Sequence, residues 1–142
     1  MATDLQDPKF RIDQASQAGQ EFAKLYYETF DKRRTLLPKL YLPSATMVWQ
    51  GNPVSGMDAI AKFQESLPTS EVSLESVDCQ PLPDSVTQGQ TSILVSTCGA
   101  VTFHGNPIRT FTQSFMLTVH KTDESKAISW KIASDCFRLQ DS

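Results

Sequence analysis

The side chains that could bind a metal or act as nucleophiles are few in this chain and far apart. The three cysteines, Cys79, Cys98 and Cys136, match neither a disulfide framework nor a C-x-x-C metal or redox motif, because their number is odd and their spacing wide. The two histidines, His104 and His120, have no third ligand at a suitable spacing. We therefore predict three reduced thiols, two solvent-facing histidines, no metal and no cofactor.

Acid–base catalysis would need a core carboxylate or histidine beside a donor that stabilises an enolate. The two central strands predicted below place only Thr97 and Gln113 in the core as polar residues, and neither is a plausible general base. Tyr26 could donate a hydrogen bond to an oxyanion, but no base accompanies it. We expect Tyr26 and Tyr27 to be one core and one rim residue, and the Gln113 amide to bond the backbone. The prediction is a protein that is not an enzyme; an enzyme acting on a small apolar ligand is the alternative.

The charge of the chain argues against nucleic-acid binding by this chain alone. Lysine and arginine total 13 against 16 acidic residues, a net charge of −3, whereas phosphate binding depends on clustered positive charge. The one basic cluster, Lys32–Arg34, has Glu28 and Asp31 within a helical turn and is interpreted as a solvated helix junction with local ion pairs. A supporting contact to RNA or to an acidic partner is the alternative. No apolar run approaches the ~20 residues of a membrane span, and the polar N-terminus is unlike a secretory signal, so we predict no membrane association.

Helical spacing dominates the first half of the chain. Apolar residues recur at this spacing from Pro8 to Phe30, which predicts one long amphipathic helix. A second, short helix is expected from Thr35 to Tyr41, and a strand from Ala45 to Gln50. The inward face of the long helix is expected to comprise Ala15, Ala18, Phe22, Leu25, Tyr26 and Phe30.

A third helix is predicted after the turn-rich segment 51–56. Ser55 and Asp58 resemble a capping box, with aspartate in place of the usual glutamate, that would begin this helix. Pro68 would end it. Its inward residues would be Ile60, Phe63 and Leu67.

The second half changes to strand alternation and predicts an α+β domain. Helices before strands indicate helices that cover one face of an antiparallel sheet. The apolar residues change parity near Ser76 and near Ser134–Asp135, which predicts a β-bulge at each place. We predict a single domain over residues 1–142, structured from about residue 10 to residue 140. The expected strands are Val72–Gln80, Thr91–His104, Thr110–His120 and Ile128–Leu139.

One face of the two central strands carries no charge. Residues of one parity point to the core, and the residues of the other parity include no lysine, arginine, aspartate or glutamate. A solvated sheet face usually carries charge, whereas depletion of charge marks the centre of a protein interface. A solvated face rich in threonine and serine is the alternative. This outer set is Ser92, Leu94, Ser96, Cys98, Ala100, Thr102, Thr110, Thr112, Ser114, Met116 and Thr118.

After the two bulges, the flanking strands turn further residues toward the same face. A carboxylate buried at an interface must be paired, so Asp78 should face an arginine or lysine of a partner. The alternatives are a surface aspartate and an internal pair with Arg138. The predicted interface consists of Asp78, Gln80, Leu94, Ser96, Cys98, Thr112, Ser114, Met116, Cys136 and Arg138.

The order of these segments resembles the nuclear transport factor 2 family over residues 10–140, nearly the whole chain. Several motifs carry the resemblance, and each combines aromatic core positions with a fixed polar residue. They are Phe22-x-x-Leu25-Tyr26-Tyr27, Phe30-Asp31-x-x-Arg34, Thr46-x-x-Trp49-x-Gly51, Phe111-x-Gln113-x-Phe115 and Trp130-x-Ile132-x-x-Asp135-x-Phe137-Arg138-Leu139.

The resemblance implies a cone in which a long N-terminal helix and two shorter ones pack on a strongly bent antiparallel sheet, and a dimer formed sheet to sheet. Within the family it is strongest for the export branch, the small subunits of the metazoan mRNA-export receptor, through the runs 31–34, 77–81 and 130–138. It implies an adaptor that pairs with the like-folded domain of the large nuclear RNA export factor, TAP, and shuttles between nucleus and cytoplasm. Contact with nucleoporin Phe-Gly repeats would come mainly through that partner.

One departure from the family concerns the small GTPase Ran. The parent transport factor binds the GDP form of Ran with an acidic stretch before the Pro-Ile of a hairpin. Here the stretch before Pro107-Ile108 is His104-Gly105-Asn106, which has no negative charge. We therefore do not expect Ran binding of that kind, although a homodimeric Ran-binding import factor stays an alternative.

Overall fold

The long N-terminal helix, α1, lies across one face of the sheet. The computed structural model describes residues 8–83, 92–121 and 128–140, and in it α1 spans Pro8–Lys32. Its buried face includes Phe22, Tyr26 and Phe30 as predicted, together with Tyr27. Leu25 is half exposed, contrary to the prediction, because the buried arc is centred between Tyr26 and Ala23 and Leu25 lies outside it. Both tyrosines are core residues, so the expectation that one would lie at the rim was wrong.

Gly19 allows α1 to approach the sheet closely. A Cβ atom at this position would overlap the sulfur of Cys79 and would contact Val95. Any larger side chain there would therefore push the helix away from the sheet.

The two shorter helices follow α1 as expected, with one difference at a cap. The first is a 3-10 helix, Arg34–Leu40, and the second is α2, Met57–Glu65. The residue before α2 is Gly56, with φ of 90° and no side-chain cap, so the predicted Ser55–Asp58 capping box was wrong. Positive φ is available to glycine without strain, and Ser55 belongs to a strand instead. Within α2, Ile60 is buried and Phe63 packs partly buried against the core; Gln64 is also buried.

The six strands of the described ranges form one sheet with the order β2-β1-β6-β5-β4-β3. All neighbours are antiparallel except β1 and β6, which are parallel, so the sheet is mixed rather than antiparallel throughout. A parallel pair is possible here because most of the chain separates these two strands and supplies the long crossover they need. The strands are β1 (Tyr41–Trp49), β2 (Asn52–Ser55), β3 (Ser70–Pro81), β4 (Ser92–Phe103), β5 (Arg109–Lys121) and β6 (Ile128–Leu139).

Strand β2 was expected as part of a turn. The backbone at Gln50 and Gly51 has positive φ (50° and 81°), which closes a tight β1–β2 hairpin, and the residues after it pair with β1. The hairpin signal was weak in the sequence because Gln50 is an unusual residue for positive φ. Strand β1 begins at Tyr41, four residues before the predicted start at Ala45, and Tyr41 had been expected in the short helix. The four later predicted strands are confirmed within two residues at the described ends; Thr91 lies outside the described residues.

Both predicted bulges are present. In β3, Leu74 is opposite Gly99 and Ser76 is opposite Cys98, so Glu75 is the extra residue. In β6, Ile132 is opposite Leu117 and Ser134 is opposite Met116, so Ala133 is the extra residue. Each bulge reverses the direction in which the following side chains point, which keeps the apolar residues on both sides of it in the core.

The core lies between the inner face of the sheet and the helices. Aromatic rings fill it, with Tyr26 against Phe115 at 4.7 Å between centroids and Trp49 stacked on Phe137 at 4.0 Å. The predicted inward residues of β4 and β5 are buried or nearly so. Within the described ranges, no helix has the length and apolar character to cross a bilayer.

Candidate partner interface and the buried network behind it

The ten residues of the predicted interface occupy three neighbouring rows across four strands, β3, β4, β5 and β6. Consecutive rows are two residues apart along each strand, so the patch measures about 14 Å in each direction. The rows are Cys98, Thr112 and Arg138; then Asp78, Ser96, Ser114 and Cys136; then Gln80, Leu94 and Met116. The structure therefore brings together on one outer face the residues that the sequence singled out.

The patch is open to solvent in the single chain. Its centre is partly exposed small and apolar residues, such as Leu94, Cys98 and Met116, and its margins are exposed, including Asp78 and Arg138. Its polar side chains are mostly hydroxyls and thiols that leave no charge in the middle. Such a surface is less strongly hydrated than a charged one, and it can be covered at little desolvation cost.

Asp78 and Arg138 lie on opposite sides of this patch. They stand on the first and the fourth of its strands and in different rows, which places their backbones about 14 Å or more apart. That separation exceeds the reach of a direct ion pair, so the internal pair considered as an alternative does not form. In the described part of the chain neither side chain has another charged partner.

The three cysteines are free, as predicted. The Cys98 thiol lies 2.8 Å from the hydroxyl of Ser76 on the outer face, and Cys136 is exposed there. Cys79 points inward against α1, and burial raises the pKa of its thiol. The described residues contain no cluster of three or more potential metal ligands. His104 is exposed, whereas the side chain of His120 lies outside the described part.

Directly behind the patch is a buried carboxylate that the sequence interpretation missed. Asp135 is 3% exposed and follows the β6 bulge, so it points into the core. Its Oδ2 accepts a hydrogen bond of 2.6 Å from the hydroxyl of Tyr41, and its Oδ1 accepts one of 2.8 Å from the Nε2 of Gln113. Burial raises the pKa of Asp135 to about 6, and the two hydrogen bonds oppose this shift by stabilising the ionised form.

The donors of Asp135 are themselves held by neighbouring side chains. The Tyr41 oxygen is 3.1 Å from the hydroxyl of Tyr26 and accepts a 3.1 Å hydrogen bond from Nε2 of Gln64. Because Tyr41 donates its proton to the carboxylate, Tyr26 must donate in the contact between the two tyrosines. Burial raises the pKa of both tyrosines, so both remain protonated donors.

Gln113 links the carboxylate to α1 and to β4. Its Oε1 accepts a 2.6 Å hydrogen bond from the hydroxyl of Tyr27, which also lies 2.7 Å from Oγ1 of Thr97. The expectation that the Gln113 side chain would bond the backbone was therefore wrong: its amide bonds three side chains, those of Tyr27, Asp135 and, at 3.5 Å, Tyr26. We refer to Tyr26, Tyr27, Tyr41, Gln64, Thr97, Gln113 and Asp135 as the buried network.

The buried network contains the acid and the tyrosines that proton-transfer chemistry uses, but it is closed. Tyr26, Gln113 and Asp135 are 1%, 2% and 3% exposed. A substrate could reach the carboxylate only if the core opened. The arrangement therefore acts as a structural hydrogen-bond network in this conformation.

Comparison with known proteins agrees with this architecture. The sequence profile of the Nuclear transport factor 2 (NTF2) domain matches residues 18–139. The chain belongs to the nuclear transport factor 2 family. It is similar to NTF2-related export protein 2 of Homo sapiens, with 51% identity over 99% of this chain and 97% of the relative.

Solved structures show the same nuclear transport factor 2 fold. Nuclear transport factor 2 from Cryptosporidium parvum superposes with a TM-score of 0.74 at 27% identity, covering 89% of this chain and 95% of that one. A chain of the Candida albicans Mtr2–Mex67 M domain complex superposes with a TM-score of 0.65 at 16% identity, covering 88% and 94%.

In this nuclear transport factor 2 domain the motif Phe30-Asp31-x-x-Arg34 forms a clamp. Arg34 donates hydrogen bonds to the carbonyls of Phe30, Leu67 and Pro68, at 2.7, 3.2 and 2.9 Å, and its guanidinium lies 4.2 Å from the centre of the Phe30 ring. Asp31 accepts hydrogen bonds from Ser70 and from the backbone of β3. Arg34 is thus a partly buried structural residue, and the interpretation of it as part of a solvated basic junction was wrong.

The clamp borders an apolar pocket of about 550 Å³ at the end of the domain. Its walls include Trp49, Leu67 and Phe103, and its rim includes Asn106 and Arg109. This pocket could not be predicted from the sequence, because its walls come from segments far apart in the chain. The rim residues from the β4–β5 hairpin carry no acidic group, which is the departure from the parent transport factor noted above.

Proposed function

We propose that this chain is a non-enzymatic adaptor of mRNA export that acts by pairing with a second protein through the outer face of its sheet. The observation that carries the proposal is the uncharged patch of three rows with one acid and one base at opposite margins. A solvated face of this size would not need to exclude charge, whereas a covered face does. The 51% identity to an NTF2-related export protein supports the export role.

The partner we propose is the nuclear transport factor 2-like domain of the large nuclear RNA export factor, TAP. Two sheets of the same fold can pack face to face, with small side chains on both sides that allow close approach. Asp78 would face an arginine or lysine of that domain, and Arg138 an acidic or carbonyl group. Binding of RNA would be left to the large subunit, because this chain has a net charge of −3.

The remaining features of the proposal follow from the partnership. The complex would shuttle between nucleus and cytoplasm, and contacts with Phe-Gly repeats of the pore would come mainly from the large subunit. The absence of acidic residues from the 104–106 stretch argues against the Ran contact of the parent transport factor.

An enzyme for a small apolar ligand is a second candidate, and one observation favours it. Asp135 and the three tyrosines are the group types of a proton-transfer site, and a carboxyl group with a pKa of about 6 is suited to acid–base work near neutral pH. The closed core opposes it. Turnover of a hydrophobic carbonyl ligand by the purified chain, abolished by Asp135→Asn, would support the enzyme over the adaptor.

The adaptor proposal is tested by Asp78→Arg. We expect the wild-type chain to form a 1:1 complex with the TAP domain in light scattering after co-expression, and the variant to lose roughly 2–5 kcal/mol of association free energy by calorimetry, since two cations would then face each other. Asp58→Arg is the matched control, because it makes the same charge change at an exposed residue of α2, which lies on the helix side of the sheet and not on its outer face, and it should bind like wild type. A wild-type chain with no affinity for the domain would overturn the proposal; an unchanged affinity of the Asp78 variant would place Asp78 outside the interface.

A further inference from the structure

The buried network lies immediately beneath the predicted interface. Alternate residues of a strand point to opposite faces, so each inward residue has two outward neighbours. Thr97 lies between Ser96 and Cys98, and Gln113 lies between Thr112 and Ser114. Asp135 has the same relation to Ser134 and Cys136. The three inward residues of the network on β4, β5 and β6 are therefore joined through the backbone to five residues of the outer patch, Ser96, Cys98, Thr112, Ser114 and Cys136.

Two chains of hydrogen bonds in the network are both donated toward Asp135. Tyr26 donates to Tyr41, and Tyr41 donates to Asp135; on the other side, Tyr27 donates to Gln113, whose amide donates to Asp135. An ionised carboxylate is the one group that can end both chains of donors. Each hydrogen bond restricts distance and angle, unlike the contacts between aromatic rings around it. The network therefore fixes the relative positions of β1, β5, β6 and α1 more narrowly than apolar packing does.

The network stabilises the core less than apolar side chains of the same volume would. Among the described residues packed around Asp135, the titratable groups are Tyr41 of β1 and Tyr26 and Tyr27 of α1, all neutral. The positive charge of Arg34, at the start of the 3-10 helix, acts on Tyr26 and slightly opposes the rise of its pKa. No cation contacts the carboxylate there, and an uncompensated buried charge is often less stabilising than apolar side chains of the same volume. The attested use of such buried polar groups is to select one arrangement among several that apolar packing would allow.

The position of Asp135 indicates which arrangement is selected. It is the second residue after the bulged Ala133, and it is the first inward side chain beyond the bulge. The hydrogen bonds from Tyr41 and Gln113 hold the strand in the phase that turns Cys136 and Arg138 outward, where they complete two rows of the patch.

We propose that Asp135 is a positioning residue for the partner interface: through Gln113 and Tyr41 it holds strands β1, β5 and β6 in the geometry that presents the outer face to the partner. This inference rests on the proposed function. Asp135 itself does not touch the partner. Its role is to make the outer face rigid before association, which lowers the ordering cost of binding.

The test measures the Kd for the TAP domain and, separately, stability in urea. Asp135→Asn keeps the shape but sets an N–H group against one of two donors, so we expect a Kd about tenfold weaker. Tyr27→Phe removes one donor from the far end of the network and should weaken binding a few-fold. Thr29→Val is the matched control, because it removes a buried hydroxyl that bonds only within α1. It should lower stability but leave the Kd unchanged.

A rescue variant separates positioning from stability. Combining Asp135→Asn with Gln113→Glu moves the carboxylate to the other end of the same hydrogen bond: the new amide donates to the new carboxylate, which still accepts from Tyr27, and Tyr41 donates to the amide oxygen. We expect this pair to restore the Kd to within about threefold of wild type. It also keeps the inference testable if Asp135→Asn alone does not fold.

The outcomes are distinct. A merely structural role predicts that every variant that remains folded binds like wild type, whatever its stability in urea, and that result would overturn the inference. A rescue variant that folds but binds no better than Asp135→Asn would also overturn it. A wild-type chain that does not bind the domain contradicts the proposed function instead, and with it the partner that the inference invokes.

Discussion

The inner and outer faces of the sheet are formed by alternate residues of the same strands and differ in what covers them. The inner face is covered by α1 and by the shorter helices, and it combines large aromatic rings with a buried network of polar groups. The patch on the outer face carries small uncharged side chains between Asp78 and Arg138, and its ten residues are exposed or partly exposed. Stability of the chain therefore depends mainly on one face, and the proposed association on the other.

The largest expected effect comes from a comparison of two neighbouring residues of β5. Phe115 is fully buried against Tyr26, whereas Met116, the next residue, is on the outer face. Phe115→Ala should reduce the free energy of unfolding by about 3–5 kcal/mol, and Met116→Ala by less than about 1 kcal/mol in the isolated chain. Denaturation in urea measures both, and comparable losses for the two would contradict the division of roles.

The second test concerns the pH dependence that Asp135 gives to the inner face. Its pKa is about 6 in the folded chain against 3.8 in the unfolded reference, so the folded state binds the proton more tightly. The stabilisation of the folded state by this tighter proton binding is therefore fully present below about pH 4. It is lost as the pH rises through 6, which lowers the free energy of unfolding by on the order of 3 kcal/mol. Asp135→Asn removes this pH dependence, because the amide does not titrate.

The measurement is the difference in unfolding free energy between wild type and Asp135→Asn at pH 4.5 and pH 7.5, because the other carboxylates cancel in that difference. We expect wild type to lose stability relative to the variant on going to the higher pH. A constant difference would show that Asp135 does not titrate in this range.

The third test has the smallest expected effect on the stability of the isolated chain, and it concerns the outer face alone. Ser114 is exposed at the centre of the patch, so Ser114→Lys should change the free energy of unfolding by no more than about 0.5 kcal/mol. The same change places an unpaired charge in the proposed interface and should abolish the complex in light scattering. Binding that persists would show that Ser114 stays solvated in the complex.

The sequence was most informative where alternation was regular. The inward set of β4 and β5 and the bulges of β3 and β6 followed from parity, because apolar residues such as Val77 and Phe137 had to remain in the core. Asp135 shares its parity with Phe137 and Leu139, so the same argument places it inward. It was missed because the search for core polar groups stopped at the two central strands.

Other features could not be read from the chain because they depend on distant segments. Arg34 donates to four backbone carbonyls in two regions of the chain, those of Phe30, Gln64, Leu67 and Pro68, and neither the composition nor the spacing of Lys32–Arg34 indicates them. The start of α2 depends on the positive φ of Gly56, which competes with a plausible serine cap. The parallel pairing of β1 with β6 depends on a crossover that local pattern does not specify.

The bulge at Glu75 has a consequence for the solubility of the chain. It lies in β3, the outermost strand on one side of the sheet, where unpaired backbone groups could recruit a strand from another molecule. A bulge twists such an edge, and an exposed carboxylate repels a second copy. The opposite edge, β2, is only four residues long and contains Pro53, which has no N–H to donate. A protein with an uncovered face thus has both of its sheet edges protected against uncontrolled strand addition, so that aggregation through the edges is disfavoured while the face remains free to bind.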